Sequence, residues 1–181
     1  MKKFLAAMAT AAILTVSAGT ASAASFPDIP NGHWAYNAIT QMSDAGIVEG
    51  YGDGTFRGDR SITNTEMARM AANLLVKVSP QSAADAKKLV EDSSNDKVAT
   101  RYEIALILAN VCEKARNGNI PATPSAFSDV PNNHWASKSV NLLAALKVME
   151  GYGDGTFRGD RNMTRYEAGI MLAKLYKALS R

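Results

Sequence analysis

The chain has 181 residues, 46% apolar and 20% charged, the composition of an ordinary globular protein. Its formal charge of +3 falls to +1 once Lys2 and Lys3 are set aside with the leader, leaving 18 basic against 17 acidic residues. This excludes the clustered basic footprint of a nucleic-acid binder. The single cysteine, Cys112, excludes an intramolecular disulfide in an exported protein.

The first residues read as a secretory leader. Met1-Lys2-Lys3 gives a positive start, residues 4–16 an apolar run, and Ala21-Ser22-Ala23 a small-residue cleavage site. Residues 1–23 are therefore expected to be a signal peptide and 24–181 a single exported domain. The apolar run is short for a membrane span, no later stretch is long enough, and no cysteine near the cleavage site could carry a lipid. No integral membrane segment is expected in the mature chain.

Phe26-Pro-Asp-Ile-Pro reads as an extended entry, because each proline restricts the residue before it. His33-Trp34 leads into a helix over 35–45, with Ala38, Ile39 and Met42 at helical spacing and Gly46 as its stop. A glycine loop follows at 49–60, and it recurs letter for letter at 150–161. The register holds without a gap between 26–66 and 127–167, the mark of a duplicated unit.

Thr63-Asn-Thr-Glu66 is a capping box: the threonine oxygen accepts from the third amide and the glutamate reaches back. The box returns as Thr100-Arg-Tyr-Glu103 and Thr164-Arg-Tyr-Glu167, each followed by an apolar stripe at identical offsets. Leu74, Leu108 and Leu172 belong to these stripes and are expected in one core; Cys112 lies on the second as a buried, inert thiol. There are thus three units, about 24–78, 79–118 and 125–181. The middle one is degenerate at its front, offering only a short polar helix over 82–91 and a loop at 92–96. A proline- and glycine-bearing linker at 117–125 precedes the third. Each unit is too small to bury its own stripe. The fold expected is mainly α, three helix-loop-helix repeats packed as a pseudo-threefold domain.

The order Phe-x-Asp, His-Trp-Ala, a helix, Gly-Tyr-Gly-Asp-Gly-Thr-Phe and Thr-Arg-x-Glu resembles the S-layer homology (SLH) repeat. It covers 26–78 and 127–181 well, and 100–116 only through box and helix. The wording of the loop is most similar to SLH segments of outer-membrane proteins in diderm Firmicutes. The resemblance implies a noncovalent anchor of exported proteins on peptidoglycan, reportedly carrying polyamine substituents, or on a pyruvylated secondary cell-wall polymer. It places the protein in the cell envelope, periplasmic in a diderm host and on the wall surface in a monoderm. It also implies ligand contacts from the arginine of the box, the entry aspartate, the tryptophan and a loop glycine. Those positions are Arg101, Arg165, Asp28, Asp129, Trp34, Trp135, Gly50 and Gly151. The first unit departs from the pattern with Asn64 in place of the arginine, and the middle unit lacks the aspartate and tryptophan. This leaves one or two complete pockets.

The residues themselves allow a binding role. A helix N-terminus presents free amides to an anion, and Arg101 and Arg165 add planar charged forks suited to a carboxylate. Arg165 has no capping duty and sits against the helix dipole. Arg165→Ala is thus expected to leave the melting temperature nearly unchanged and to weaken wall binding, unless the side chain pairs with a neighbouring repeat's aspartate. Trp34 and Trp135 offer faces to a sugar ring or cap their own helices. His33 and His134 read as hydrogen-bonding residues, and Thr63, Glu66, Thr100, Glu103, Thr164 and Glu167 as helix caps. Asp53, Asp59, Asp154 and Asp160 lack the alternating spacing of a calcium loop. No catalytic constellation, cofactor or metal is called for. The alternative function is a protein–protein assembly module with an exported partner.

Overall fold

The computed structural model describes residues 26–93, 95–118 and 127–180. The leader and its cleavage site lie outside the described residues, as does most of the linker. The protein is mainly helical. The helices are α1 (Tyr36–Asp44), α2 (Asn64–Val78), α3 (Ala83–Ser93), α4 (Arg101–Ala115), α5 (Ser137–Ala145) and α6 (Arg165–Leu179), with a 3₁₀ turn at Pro80–Ser82. The polar segment expected at 82–91 is α3. No helix of the described residues is long and apolar enough to cross a membrane.

The three long helices start alike. Thr63, Thr100 and Thr164 sit in extended backbone, and each side chain accepts from the amide of the glutamate three residues on. Each glutamate returns a carboxylate oxygen to its threonine amide, at 3.0, 2.7 and 2.9 Å. Two orphan amides of each first turn are thereby satisfied within the box.

The residues just before the caps tie the helices together. Ile62 N donates to Met163 O at 2.9 Å, Met163 N to Ala99 O at 3.3 Å, and Ala99 N to Ile62 O at 2.8 Å. These three bonds close into a ring, and all three side chains are fully buried. Leu74, Leu108 and Leu172 are also fully buried, within a single apolar cluster that draws on every α-helix. The shorter helices pack outside: α1 on α6, α5 on α4, and α3 on α2. Gly169 of α6 allows the first of these contacts, because a Cβ there would lie 2.2 Å from Ile39 Cδ1.

Candidate functional site

The two glycine loops are held from three directions. Within the loop, Tyr51 N donates to Thr55 O at 2.8 Å and Gly54 turns at φ +81°. Asp53 accepts from the Thr55 hydroxyl at 2.6 Å and from Arg57 Nη2 at 2.7 Å. These partners, the Thr55 hydroxyl first and the Arg57 guanidinium next, hold the Asp53 carboxyl well below the usual carboxylate range. Asp154 repeats the arrangement with Thr156 and Arg158. Both aspartates are thus occupied inside their loops, and the described residues hold no cluster of three or more metal-ligating side chains.

From the entry segment, Asp28 accepts from the amides of Phe56 at 2.9 Å and Arg57 at 2.7 Å. Asp129 does the same for Phe157 at 2.7 Å and Arg158 at 2.8 Å. Arg57 and Arg158 stand at φ +54°, a left-handed conformation that is uncommon for such side chains and that the aspartate cap holds in place. Gly50 leaves no room for a side chain: a Cβ would lie 2.6 Å from the Phe26 ring and 2.9 Å from Thr55 O. Gly151 is hemmed in equally, 2.3 Å from Phe127 and 2.7 Å from Thr156 O.

The third hold comes from another unit. Arg165 of α6 reaches the first loop, donating from Nε to Phe56 O at 2.9 Å and from Nη2 to Glu49 O at 3.1 Å. Its Nη1 lies 3.5 Å from Glu66 Oε1, and its guanidinium sits over Tyr51 and Phe56 at 4.8 and 4.7 Å. Arg101 of α4 repeats this on the second loop, with Phe157 O at 3.0 Å and Glu150 O at 2.9 Å. Both arginines are nearly sealed, 3% and 4% exposed. Arg165 is therefore structurally engaged, through loop carbonyls and Glu66 and not through an aspartate. These contacts predict a stability cost for its removal, against the expectation of an unchanged melting temperature.

The helix N-termini are equally occupied. Arg165 N and Tyr166 N donate to Arg60 O and Gly58 O, and Arg101 N and Tyr102 N to Arg161 O and Gly159 O, each at 2.9 Å. With the third amide taken by the cap threonine, these turns offer no free amides to an anion. The reading of the helix N-termini as anion sites is corrected accordingly.

Tyr166 and Tyr102 complete the interlock; the repeated Thr-Arg-Tyr-Glu wording contains them but names no partner for their rings. A Cβ on Gly58 would fall 2.1 Å from the Tyr166 ring, and one on Gly159 2.0 Å from Tyr102. Tyr166 also lies 4.4 Å from the His33 ring and meets Trp34 edge-on at 5.7 Å. Tyr102, His134 and Trp135 repeat the cluster at 4.5 and 5.5 Å. His33 and His134 accept from the amides of Ala35 and Ala136, the hydrogen-bonding role expected of them. The tryptophans stay 65% and 61% exposed.

At the third junction the neighbour has neither loop nor His-Trp pair, and the contact is different. Asn64 replaces the arginine and binds Asn95 Oδ1 through Nδ2 at 3.1 Å, while its amide donates to Lys97 O at 3.0 Å. Thr65 replaces the tyrosine and donates through its hydroxyl to Asn95 O at 3.0 Å.

Around the first loop these parts leave a cleft of about 160 Å³, whose lining includes Glu49, Gly50, Tyr51, Glu66, Arg69 and Arg165. Of the residues expected to bind ligand, the cleft brings together Gly50 and Arg165. Trp34 and Asp28 do not line it; Trp34 belongs to the aromatic cluster and Asp28 to the loop cap. Arg101 and Gly151 meet at the second loop, and Trp135 and Asp129 again stand in the aromatic cluster and the cap.

The chain matches the S-layer homology domain family at residues 25–68 and 126–168. Both stretches are S-layer homology domains. The relatives carry the same theme. The chain is 30% identical over 165 residues to cell surface glycoprotein 1 of Acetivibrio thermocellus, covering 91% of this chain and 6% of that protein. It is 51% identical over 55 residues to outer membrane protein SlpA of Deinococcus radiodurans, 30% of this chain and 5% of SlpA. It is 27% identical over 157 residues to a cellulosome-anchoring protein of A. thermocellus, 86% of this chain and 27% of that protein. The chain therefore spans about a quarter or less of the length of these relatives.

Proposed function

We propose that this chain is a noncovalent wall-binding module of an exported envelope protein, tethering or spacing the envelope through peptidoglycan or an attached wall polymer. Its three capping-box units act as one pseudo-threefold SLH domain spanning 24–181, exported after removal of residues 1–23. The observation that carries the reading is the cleft built where Arg165 crosses onto the first glycine loop, beside Gly50 and Tyr51. It lies between segments matched to the SLH family, and relatives named as surface, outer-membrane and anchoring proteins support it. The ring of bonds among Ile62, Ala99 and Met163 supports the three-unit assembly. Arg101 with Gly151 forms the corresponding ligand contact at the second loop. Trp34 and Trp135 supply exposed aromatic surface, and Asp28 and Asp129 cap the loops.

Those exposed tryptophans also favour a second reading, an assembly module that docks another exported protein. Incubating purified mature chain with protein-free sacculi separates the two. Retention without any added protein is the expected result. A chain that stays in the supernatant until an envelope protein fraction is added would overturn wall binding in favour of assembly.

A further inference from the structure

The third unit is basic at a place where its duplicate is neutral overall. Lys147, Lys174 and Lys177, with Leu146 and Ala178, line a concavity of about 270 Å³ where the end of α5 meets the last turns of α6. At the corresponding places of the first unit stand Gly46, Asn73 and Val76. Asp44 of that unit is Ala145 in the third, and its one cation there, Lys77, is Ala178. One acid and one base in the first copy are thus three lysines and no acid in the third.

The backbone shows that one of these lysines stands against local preference. Lys147 has φ +56°, in the left-handed region that Gly46 occupies at φ +72° in the first copy. Glycine adopts that conformation at far lower cost than a residue with a Cβ. Local structure therefore favours glycine at 147, and a lysine held there is a candidate for function. Lys174 lies 3.7 Å from Glu150 Oε2, with both side chains exposed. Lys147 and Lys177 form no ion pair among the described residues. Arg116, just past α4, brings a fourth cation to the same end, donating to Ala178 O at 3.3 Å.

The side chains of this concavity offer only ammonium groups and aliphatic carbon. A polysaccharide would find no amide, hydroxyl or aromatic face there to receive its own hydroxyls. Lysine ammoniums are point charges on flexible stems, suited to many loosely placed phosphates. Lys174 and Lys177 also border a wider groove of about 590 Å³, whose lining includes half-buried Ala38, Ile170, Ala173 and Tyr176. Lysines rimming apolar surface match the boundary between headgroups and acyl chains, with stems on the apolar side and ammoniums at the phosphates.

We propose that this end of the third unit is a peripheral docking surface for an anionic phospholipid bilayer, with Lys147, Lys174 and Lys177 as its phosphate contacts. No helix of the described residues is long and apolar enough to cross a membrane, so the contact stays at the surface. Helical rise puts Ala178 roughly 20 Å along α6 from Arg165. The first-loop cleft is thereby left free, and one chain can hold wall and membrane together.

The test is sedimentation of the mature chain with vesicles of phosphatidylcholine alone and of equal parts phosphatidylcholine and phosphatidylglycerol. The variants restore the first copy's residues: Lys147→Gly, Lys174→Asn and Lys177→Val, singly and together. Wild type should bind the mixed vesicles and not the neutral ones, and should release as salt rises. Each lysine near an anionic surface is worth roughly fivefold, so the triple variant should bind on the order of a hundredfold more weakly. Its melting temperature should stay close to wild type, because the three side chains are exposed and glycine suits position 147. Its retention on protein-free sacculi should be unchanged. A wild type that ignores mixed vesicles at low salt, or a triple variant that binds them equally well, overturns the inference while wall binding stands. Binding to teichoic acid with none to vesicles overturns it in favour of a phosphodiester polymer. A folded triple variant that also leaves the sacculi shows that the lysines belong to the wall site, which overturns it too. Lysine-dependent vesicle binding by a wild type that ignores sacculi supports the inference and refutes the wall reading.

Discussion

Arg165→Ala is the substitution that most directly probes how this fold is held. The side chain is 3% exposed and donates to Phe56 O and Glu49 O across the junction between α6 and the first loop. Truncation strands two carbonyls beneath a new void, each costing about 1–3 kcal/mol when left without a partner. It also removes the cation 3.5 Å from Glu66 and the packing over Tyr51 and Phe56. Water entering the cleft would satisfy part of this, so the expected loss is about 3–5 kcal/mol. For a domain of this size a kilocalorie shifts the melting temperature by roughly 2–4 °C, so thermal unfolding should show a drop of roughly 6–20 °C. Urea unfolding should move the midpoint with the slope unchanged. Arg101→Ala should behave alike, having the corresponding carbonyls of the second loop, Phe157 O and Glu150 O, as partners. Arg165→Lys should remain substantially destabilised, since an ammonium cannot reproduce the two-carbonyl fork. A melting temperature within a degree or two of wild type would refute the claim that this arginine holds the junction.

Gly58→Ala should destabilise by about 1–3 kcal/mol, the usual cost of forcing extra volume into a filled site, because its Cβ would fall on the Tyr166 ring. Pairing it with Tyr166→Ala in a double-mutant cycle should show strong coupling, and simple additivity would refute the contact. Burial pushes the Cys112 thiol up to about 11, above its ordinary value, so the folded protein holds this proton where the unfolded chain releases it. The contribution to stability is full below about 9 and is lost as pH rises toward 11. Cys112→Ala should flatten that decline in urea titrations, and an unaltered alkaline decline would show that other groups cause it.

Much of the fold was legible because its signals are local. A capping box needs four residues and an apolar stripe needs one helix face, so α2, α4 and α6 could be placed from the sequence. Their glutamates and threonines bond as the spacing demands. What the sequence hid was the use of residues across junctions. Arg165 stood one place after a cap, against the helix dipole, and local reasoning made it surplus; its partners are over a hundred residues away. The entry aspartates and loop glycines were marked as candidate ligand contacts. Asp28 caps the turn at Phe56 and Arg57, and Gly50 is small because Phe26 fills the space above it. Lys147, Lys174 and Lys177 carried no repeat signature at all, since the other copy has glycine, asparagine and valine there.

One long-range feature was nonetheless written in the repeats. The Arg-Tyr pair follows the cap in the second and third units and is replaced by Asn64-Thr65 in the first. The glycine loop and the His-Trp pair occur in the first and third units and are missing from the second. If the pair served its own unit's loop, the second unit should have lost it. If it served the preceding unit, the third should have. Loss in the first unit is consistent only with each cap serving the unit that follows, with the third returning to the first. That order requires a closed ring, because an open row would leave the Arg165-Tyr166 pair with nothing to grip. The contacts run in this direction: Arg165 and Tyr166 hold the first loop, and Arg101 and Tyr102 hold the third unit's loop. Asn64 and Thr65 meet the loopless second unit with short polar side chains that bond Asn95. Restoring Arg-Tyr at 64 and 65 should therefore destabilise the protein, because the second unit lacks the glycine-loop sequence that seats the tyrosine ring and receives the fork in the other two. A double variant as stable as wild type in thermal unfolding would show that these two residues are not matched to their neighbour.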